Sequence, residues 1–86
     1  MTAGTPADET RIVLLTKPGC HLCDVARSVI EHVAAECDVG WREYDIDDSE
    51  RYTRAYWDKI PVTLIDGAEH SYWRVSADRL RAALDA

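Results

Sequence analysis

The chain has no apolar run that approaches the roughly 20 residues needed to cross a bilayer as a helix, which excludes a helical membrane span. Its opening, Met1-Thr2-Ala3-Gly4-Thr5-Pro6, lacks the charged and apolar regions of a secretory signal. The expectation that follows is a cytoplasmic protein with no membrane partner. Clustered positive charge is missing too. Ten Lys and Arg stand against 16 Asp and Glu for a net charge of −6. Arg42, Arg51, Arg54, Arg74, Arg79 and Arg81 are scattered among acids, so a phosphate backbone finds no basic track and nucleic acid is not expected as a partner. Paired cysteines for a disulfide framework are absent. Of three cysteines, two lie so close that a bond between them closes a tiny loop of little structural value. A structural zinc site usually takes four Cys or His ligands, and no second close pair exists; Cys37, His32 and His70 are isolated along the sequence. Internal repeats are lacking, as is any linker long enough to separate domains.

What remains is one globular unit of ordinary composition, 47% hydrophobic and 30% charged in 86 residues. Residues 1–10 show no hydrophobic period and read as a mobile tail, leaving 11–86 as the domain. Ile12-Val13-Leu14-Leu15 is a continuous apolar run that suits a strand covered on both faces. Leu22, Val25, Ala26, Val29, Ile30, Val33 and Ala34 recur at helical spacing, predicting an amphipathic helix of three to four turns with these residues facing the core. Trp41 to Ile46 reads as a second strand. Asp47-Asp48-Ser49 caps a short helix reaching about Trp57. Pro61 opens a strand through Ile65, Asp66-Gly67 is a hairpin dipeptide, and the return strand runs to about Trp73. Ser76 caps a last helix with Leu80, Ala83 and Leu84 inward. The order is β-α-β-α-β-β-α, an α/β pattern.

Cys20 and Cys23 fall where the first strand gives way to the first helix. Free N–H groups and the helix dipole favour a thiolate there, so Cys20 reads as the exposed nucleophile and Cys23, one turn inward, as the resolving thiol. Lys17 and His21 are candidate sources of nearby positive charge. In a cytosolic chain such a pair is catalytic or metal-binding rather than structural. A metal or iron–sulfur module using the same sulfurs, and a redox-inert interaction domain, stay open beside the redox reading. Cys37 reads as a partly buried spectator, His32 as a surface residue, His70 as decoration of the hairpin, and Tyr56, Trp57, Tyr72 and Trp73 as core or rim packing.

The chain resembles the glutaredoxin branch of the thioredoxin superfamily, in particular its small bacterial glutaredoxin-like members. The resemblance runs from Arg11 to about Leu84. It rests on Leu15-Thr16-Lys17 before Cys20-His21-Leu22-Cys23, on Tyr44-Asp45-Ile46-Asp47, and on Ile60-Pro61-Val62 followed by Leu64-Ile65-Asp66-Gly67. It implies a thioredoxin-like fold with a four-stranded mixed sheet, and a thiol–disulfide oxidoreductase with a redox-active Cys-x-x-Cys. By the same resemblance Pro61 is cis and packs beside the dithiol, and Ile60 offers backbone hydrogen bonds to substrate. Asp78 at the start of the last helix is a candidate ligand contact, and Lys17 completes the substrate-binding set. Implied partners are a disulfide-containing protein or small-thiol substrate and a reductase or small-thiol electron donor; a monomer is expected. No tightly bound cofactor is expected. Glutathione or another low-molecular-weight thiol is an option, because the Gly-Gly step of glutathione-binding members is here Tyr72-Trp73. A second departure is His21-Leu22, which replaces the Pro-aromatic pair common between the cysteines.

Overall fold

A computed structural model describes residues 10–85. Strand β1 (Thr10–Thr16) carries the apolar run, and Ile12, Leu14 and Leu15 are fully buried. A strand whose alternate side chains are all apolar must be covered on both faces, and β1 takes a central place in the sheet. It pairs in parallel with β2 (Gly40–Asp45) and antiparallel with β3 (Val62–Ile65), and β4 (Ala68–Tyr72) flanks β3 in antiparallel register. The order β2-β1-β3-β4 is the mixed four-stranded sheet of a thioredoxin-like fold. The expected tail lies outside the described residues except for Thr10, which is not tail but the first residue of β1, paired with Gly40.

Three helices cover the sheet. Ile12 and Leu14 point to one face, against Ala26, Ile30, Val33 and Ala34 of α1 (His21–Cys37) and Leu80 and Leu84 of α3 (Ala77–Asp85). Leu15, Val62 and Leu64 point to the other, with Ile46, Cys23 and Ile60 and with Tyr52 and Tyr56 of α2 (Glu50–Tyr56). Helix α1 is 17 residues, close to five turns and longer than its apolar pattern alone predicts. Its buried stripe is Cys23, Ala26, Ile30, Val33 and Ala34. Leu22 and Val25, expected inward, are exposed. The stripe is phased on Cys23, a small apolar side chain that occupies the inward position one residue after Leu22.

The turns follow from local chemistry. Asp66 and Gly67 both take positive φ, 52° and 85°, as a two-residue hairpin turn with the sheet's twist requires. Arg11 grips this turn with two bonds to the Asp66 carboxylate, at 3.1 and 2.8 Å, and donates a third to the Leu84 carbonyl at 2.9 Å, tying β1, the hairpin and α3 together. Strand β2 ends one residue earlier than expected, because Ile46 enters a 3-10 turn (Ile46–Asp48) that buries it. Ser49 caps α2 and Ser76 caps α3, each hydroxyl accepting an N–H at 3.3 Å. Strand β4 stops at Tyr72, since Trp73 turns into the left-handed region at φ 66° and sends its N–H back to the Pro61 carbonyl at 2.7 Å. None of the helices among the described residues is long and apolar enough to cross a membrane.

Candidate active site

The parallel pairing of β1 with β2 leaves the C-terminal end of β1 beside the start of α1. Four residues make the turn, and Gly19 takes the positive φ of 73° that it demands. Cys20 is the N-cap of α1, in extended conformation, and its sulfur accepts the N–H of Cys23 at 3.3 Å. The helix dipole and free first-turn N–H groups therefore converge on a sulfur, a position that stabilises negative charge. Cys20 is half-buried and Cys23 is 1% exposed; both are free thiols. Burial, reinforced by a hydrogen bond to the Cys20 sulfur, pushes the Cys23 thiol up to about 12. One sulfur is partly exposed, and the other is buried beneath it as a thiol of raised pKa.

Leu15, Ile60 and Val62 wall Cys23 in, with Cys20 at the margin of the same cluster. The Ile60–Pro61 bond is cis and both residues are buried. Trp73 braces this loop from β4, its backbone N–H reaching the carbonyls of Pro61 and Lys59 and its indole N–H donating to the Asp58 carbonyl at 3.1 Å. Ile60, Cys20 and Cys23 thus share one cluster, and Pro61 follows Ile60 across the cis bond. Lys17 is exposed on a cleft of about 730 Å³ that also takes in Cys20, Arg27 and Glu43. Asp78 does not join them: its side chain is 94% exposed and is held by Arg81 at 2.9 Å, away from the residues lining that cleft.

Sequence reasoning missed the polar network behind the dithiol. Arg27 lies one turn beyond Cys23 on α1 and makes two 2.7 Å bonds to the Glu43 carboxylate and a 2.8 Å bond to Asp24. Thr16 also donates to Glu43, at 3.1 Å, sharing Oε2 with the Arg27 guanidinium. The guanidinium holds the Glu43 carboxyl below its ordinary range, and its charge pulls the Cys23 thiol down against burial. Helical spacing from Cys23 marks Arg27, but Glu43 reaches it only through the non-local pairing of β1 with β2.

The other residues singled out are placed as follows. Cys37 closes α1 at the end away from the dithiol, half-buried against the core. His32 is on the surface, 3.8 Å from Glu36. His70 is not mere decoration of the hairpin. Thr63 pairs with Ser71 and Leu64 with Glu69, so His70 is the extra residue of a β-bulge, and burial followed by the Arg79 charge lowers its pKa. Tyr56 packs on the buried cluster beside Tyr52, whereas Trp57 and Trp73 are exposed and Tyr72 stands edge-on to Trp73 at 5.0 Å. Trp73 keeps the φ of a glycine with an indole on it. Among the described residues no group of three or more His, Cys, Asp or Glu side chains is placed to hold a metal ion.

Comparison with known proteins places this geometry. A family model described as the glutaredoxin-like domain matches residues 11–85. An uncharacterized protein of Mycobacterium tuberculosis is 32% identical over 77 residues, covering 84% of this chain and 79% of the relative. The crystal structure of a structural-genomics target from X. campestris superposes with a TM-score of 0.69 at 31% identity, covering 86% of this chain and 95% of that one. A mutant thioredoxin from Halobacterium salinarum shares the fold, with a TM-score of 0.62 at 20% identity over 94% of this chain and 78% of its own.

Proposed function

Because the chain belongs to the glutaredoxin-like domain family of the thioredoxin superfamily, we propose that it is a thiol–disulfide oxidoreductase whose nucleophile is Cys20 and whose resolving thiol is Cys23. The observation that carries this reading is the Cys20 sulfur at the N-cap of α1, accepting the N–H of Cys23, with the Cys23 thiol buried directly beneath. The Cys20 thiolate attacks one sulfur of a substrate disulfide, forming a mixed disulfide and expelling the other sulfur as a thiolate that takes up a proton. Cys23 then loses its proton and attacks Cys20, forming the Cys20–Cys23 disulfide and releasing the second substrate thiol. Two electrons and two protons pass from the dithiol to the substrate.

In this reading the buried Cys23 sets the order of events. A thiol pushed up to about 12 does not compete for the substrate, and it becomes nucleophilic only when the departing charge or a base takes its proton. Pro61 and Ile60 shape the wall against which the substrate disulfide lies, and Lys17 offers a cation on the exposed side. Electrons are returned by a small thiol or a thioredoxin-type reductase; a side-by-side assay of the two donors identifies which.

Reduced protein mixed with a chromogenic aromatic disulfide tests the reading. The wild type is expected to release two equivalents of aromatic thiol per dithiol. Cys20→Ser should release none at a comparable rate, and Cys23→Ser should stop at a stable mixed disulfide detectable by mass. Turnover retained in Cys20→Ser would sink the assignment.

A further inference from the structure

We propose that the groove between the start of α1 and the turn from β4 into α3 docks an acidic, apolar-containing peptide segment of the protein whose disulfide is reduced, an inference that rests on the oxidoreductase reading above. The groove, about 600 Å³, begins at His21 and Leu22, between the two cysteines, and ends at Arg79 on α3. Neither cysteine lines it, but His21 follows Cys20 and Leu22 precedes Cys23, so its near end lies next to the dithiol in the chain.

Its floor is apolar where a monomeric surface has no need to be. Leu22, Val25 and Trp73 are 38, 52 and 53% exposed, and the first two lie one turn apart on the side of α1 that the core stripe leaves uncovered. Trp73 is held in the left-handed region, and such a backbone is disfavoured for a bulky side chain and concentrates at ligand sites. The β-bulge at His70 brings both His70 and Ser71 to the groove, and His70 Nε2 and Ser71 Oγ are buried with no hydrogen-bond partner among the described residues. Unsatisfied buried polar atoms in a native structure call for a partner.

Charge selects the occupant. Arg11, Arg27, Arg54 and Arg81 all sit within 4 Å of a carboxylate, as expected in a chain with 16 acids. Arg74 and Arg79, like Arg42 and Arg51, have no such partner among the described residues; only Arg74 and Arg79 line the groove, and the Arg79 charge reaches His70. The groove is thus a basic, apolar track on an acidic protein. Its complement is a ligand with carboxylates beside aliphatic side chains. A segment of chain fits better than a small thiol. One wall is β4, an edge strand whose outer side has no strand partner among the described residues and can take up an extended peptide.

Binding is measured without redox chemistry, by anisotropy of a labelled short peptide carrying Leu and several Glu around a Ser in place of the target cysteine. The acidic peptide is expected to bind about tenfold more tightly than its Gln counterpart at low salt, with the gap mostly lost at about 0.5 M salt. Arg74→Gln with Arg79→Gln should remove the gap, whereas Arg42→Gln, a cation on the far edge strand, should keep it. Equal affinity for the two peptides, or a gap that survives the double substitution, overturns the proposal. So does equal competition by an anionic tripeptide, which would make a small thiol the occupant. In a second arm the same peptides carry cysteine as a mixed disulfide with 2-thiopyridine. Attack by Cys20 on the peptide sulfur expels pyridine-2-thione, and Cys23 then frees the peptide thiol. Thione release following the affinity order supports the proposal. Acidic-peptide binding without thione release would remove the oxidoreductase reading and leave the docking surface standing; release without peptide preference would do the reverse.

Discussion

A neutral thiol is a weak helix cap, and a thiolate is a strong one. Cys20 occupies the N-cap of α1 with its sulfur 3.3 Å from the Cys23 N–H, where Ser would supply a better neutral acceptor. Cys20→Ser, which exchanges a thiolate cap for a neutral hydroxyl, is therefore expected to lower the stability of the reduced protein by about 0.5–1 kcal/mol in urea unfolding at neutral pH while abolishing disulfide reduction. A stability gain of that size would mean that Cys20 caps the helix as a neutral thiol. The partner sulfur behaves oppositely. With burial holding the Cys23 thiol near 12, Cys23→Ser should leave the thiolate absorbance of the protein unchanged at every pH up to about 9.5, well below the onset of that titration. Arg27 opposes this burial with its charge. Arg27→Gln should lengthen the lifetime of the Cys20 mixed disulfide, because removing the charge raises the Cys23 thiol further. A lifetime unchanged in stopped-flow traces would assign Arg27 to holding α1 against β2 and nothing more.

Among the elements, α2 depends most on its cap. It is seven residues long and buries none of them fully, so little tertiary packing compensates for its four free N–H groups. Ser49 accepts the Tyr52 N–H, and the Thr53 hydroxyl ties the helix back to the Ile46 carbonyl at 2.7 Å. Ser49→Ala is expected to cost about 1 kcal/mol in global stability, and more in local protection of the amides from Tyr52 to Tyr56 when followed by hydrogen exchange. This helix was legible in the sequence because a cap is a local signal, as were the Asp66-Gly67 turn and the Ser76 cap. The apolar β1 run also marked a strand covered on both faces, and Ile12, Leu14 and Leu15 are buried. What was not legible depended on phase or on pairing. Cys23 was not counted as a core residue, so the first turn of the α1 stripe was placed on Leu22 and Val25, whereas Ala26, Ile30, Val33 and Ala34 lie inward as expected. The bulge at His70 and the meeting of Glu43 with Arg27 come from register between strands distant in sequence, which no local pattern encodes. The dithiol and the Ile60-Pro61 step were read from spacing and resemblance, while the groove beside them was not, because its residues come from α1, β4 and the approach to α3.

For the molecule as a whole, three ion pairs join residues distant in sequence, two of them across elements that the sheet does not pair. Arg11 with Asp66 ties β1 to the hairpin, Arg27 with Glu43 ties α1 to β2, and Arg81 with Glu36 ties α3 to α1. In each the guanidinium holds its carboxyl below the ordinary value. A carboxylate depressed in the folded state contributes stability that is complete above the unfolded pKa and is lost as pH falls through the folded one. His70, also depressed, acts in the same sense, since burial favours its neutral form and the unfolded chain takes up a proton first. Its contribution begins to fade below 6.5, and those of the carboxylates below about 4.5. Long-range charge argues the other way. The net charge of −6 diminishes toward the isoelectric point near 4.8, and less self-repulsion would favour the compact state as the solution is acidified. Two of the three pairs are bidentate, whereas the distributed repulsion is screened at ordinary salt, so the local effect should win. The midpoint of urea unfolding is expected to be flat from pH 8 to 7, to decline gently below 6.5, and to fall steeply below 4.5. His70→Gln should remove the gentle limb, and Glu36→Gln, Glu43→Gln and Asp66→Asn together should flatten the steep one. A midpoint that instead rises between pH 7 and 5 would show that whole-molecule repulsion, and not the three ties, governs how this fold responds to acid.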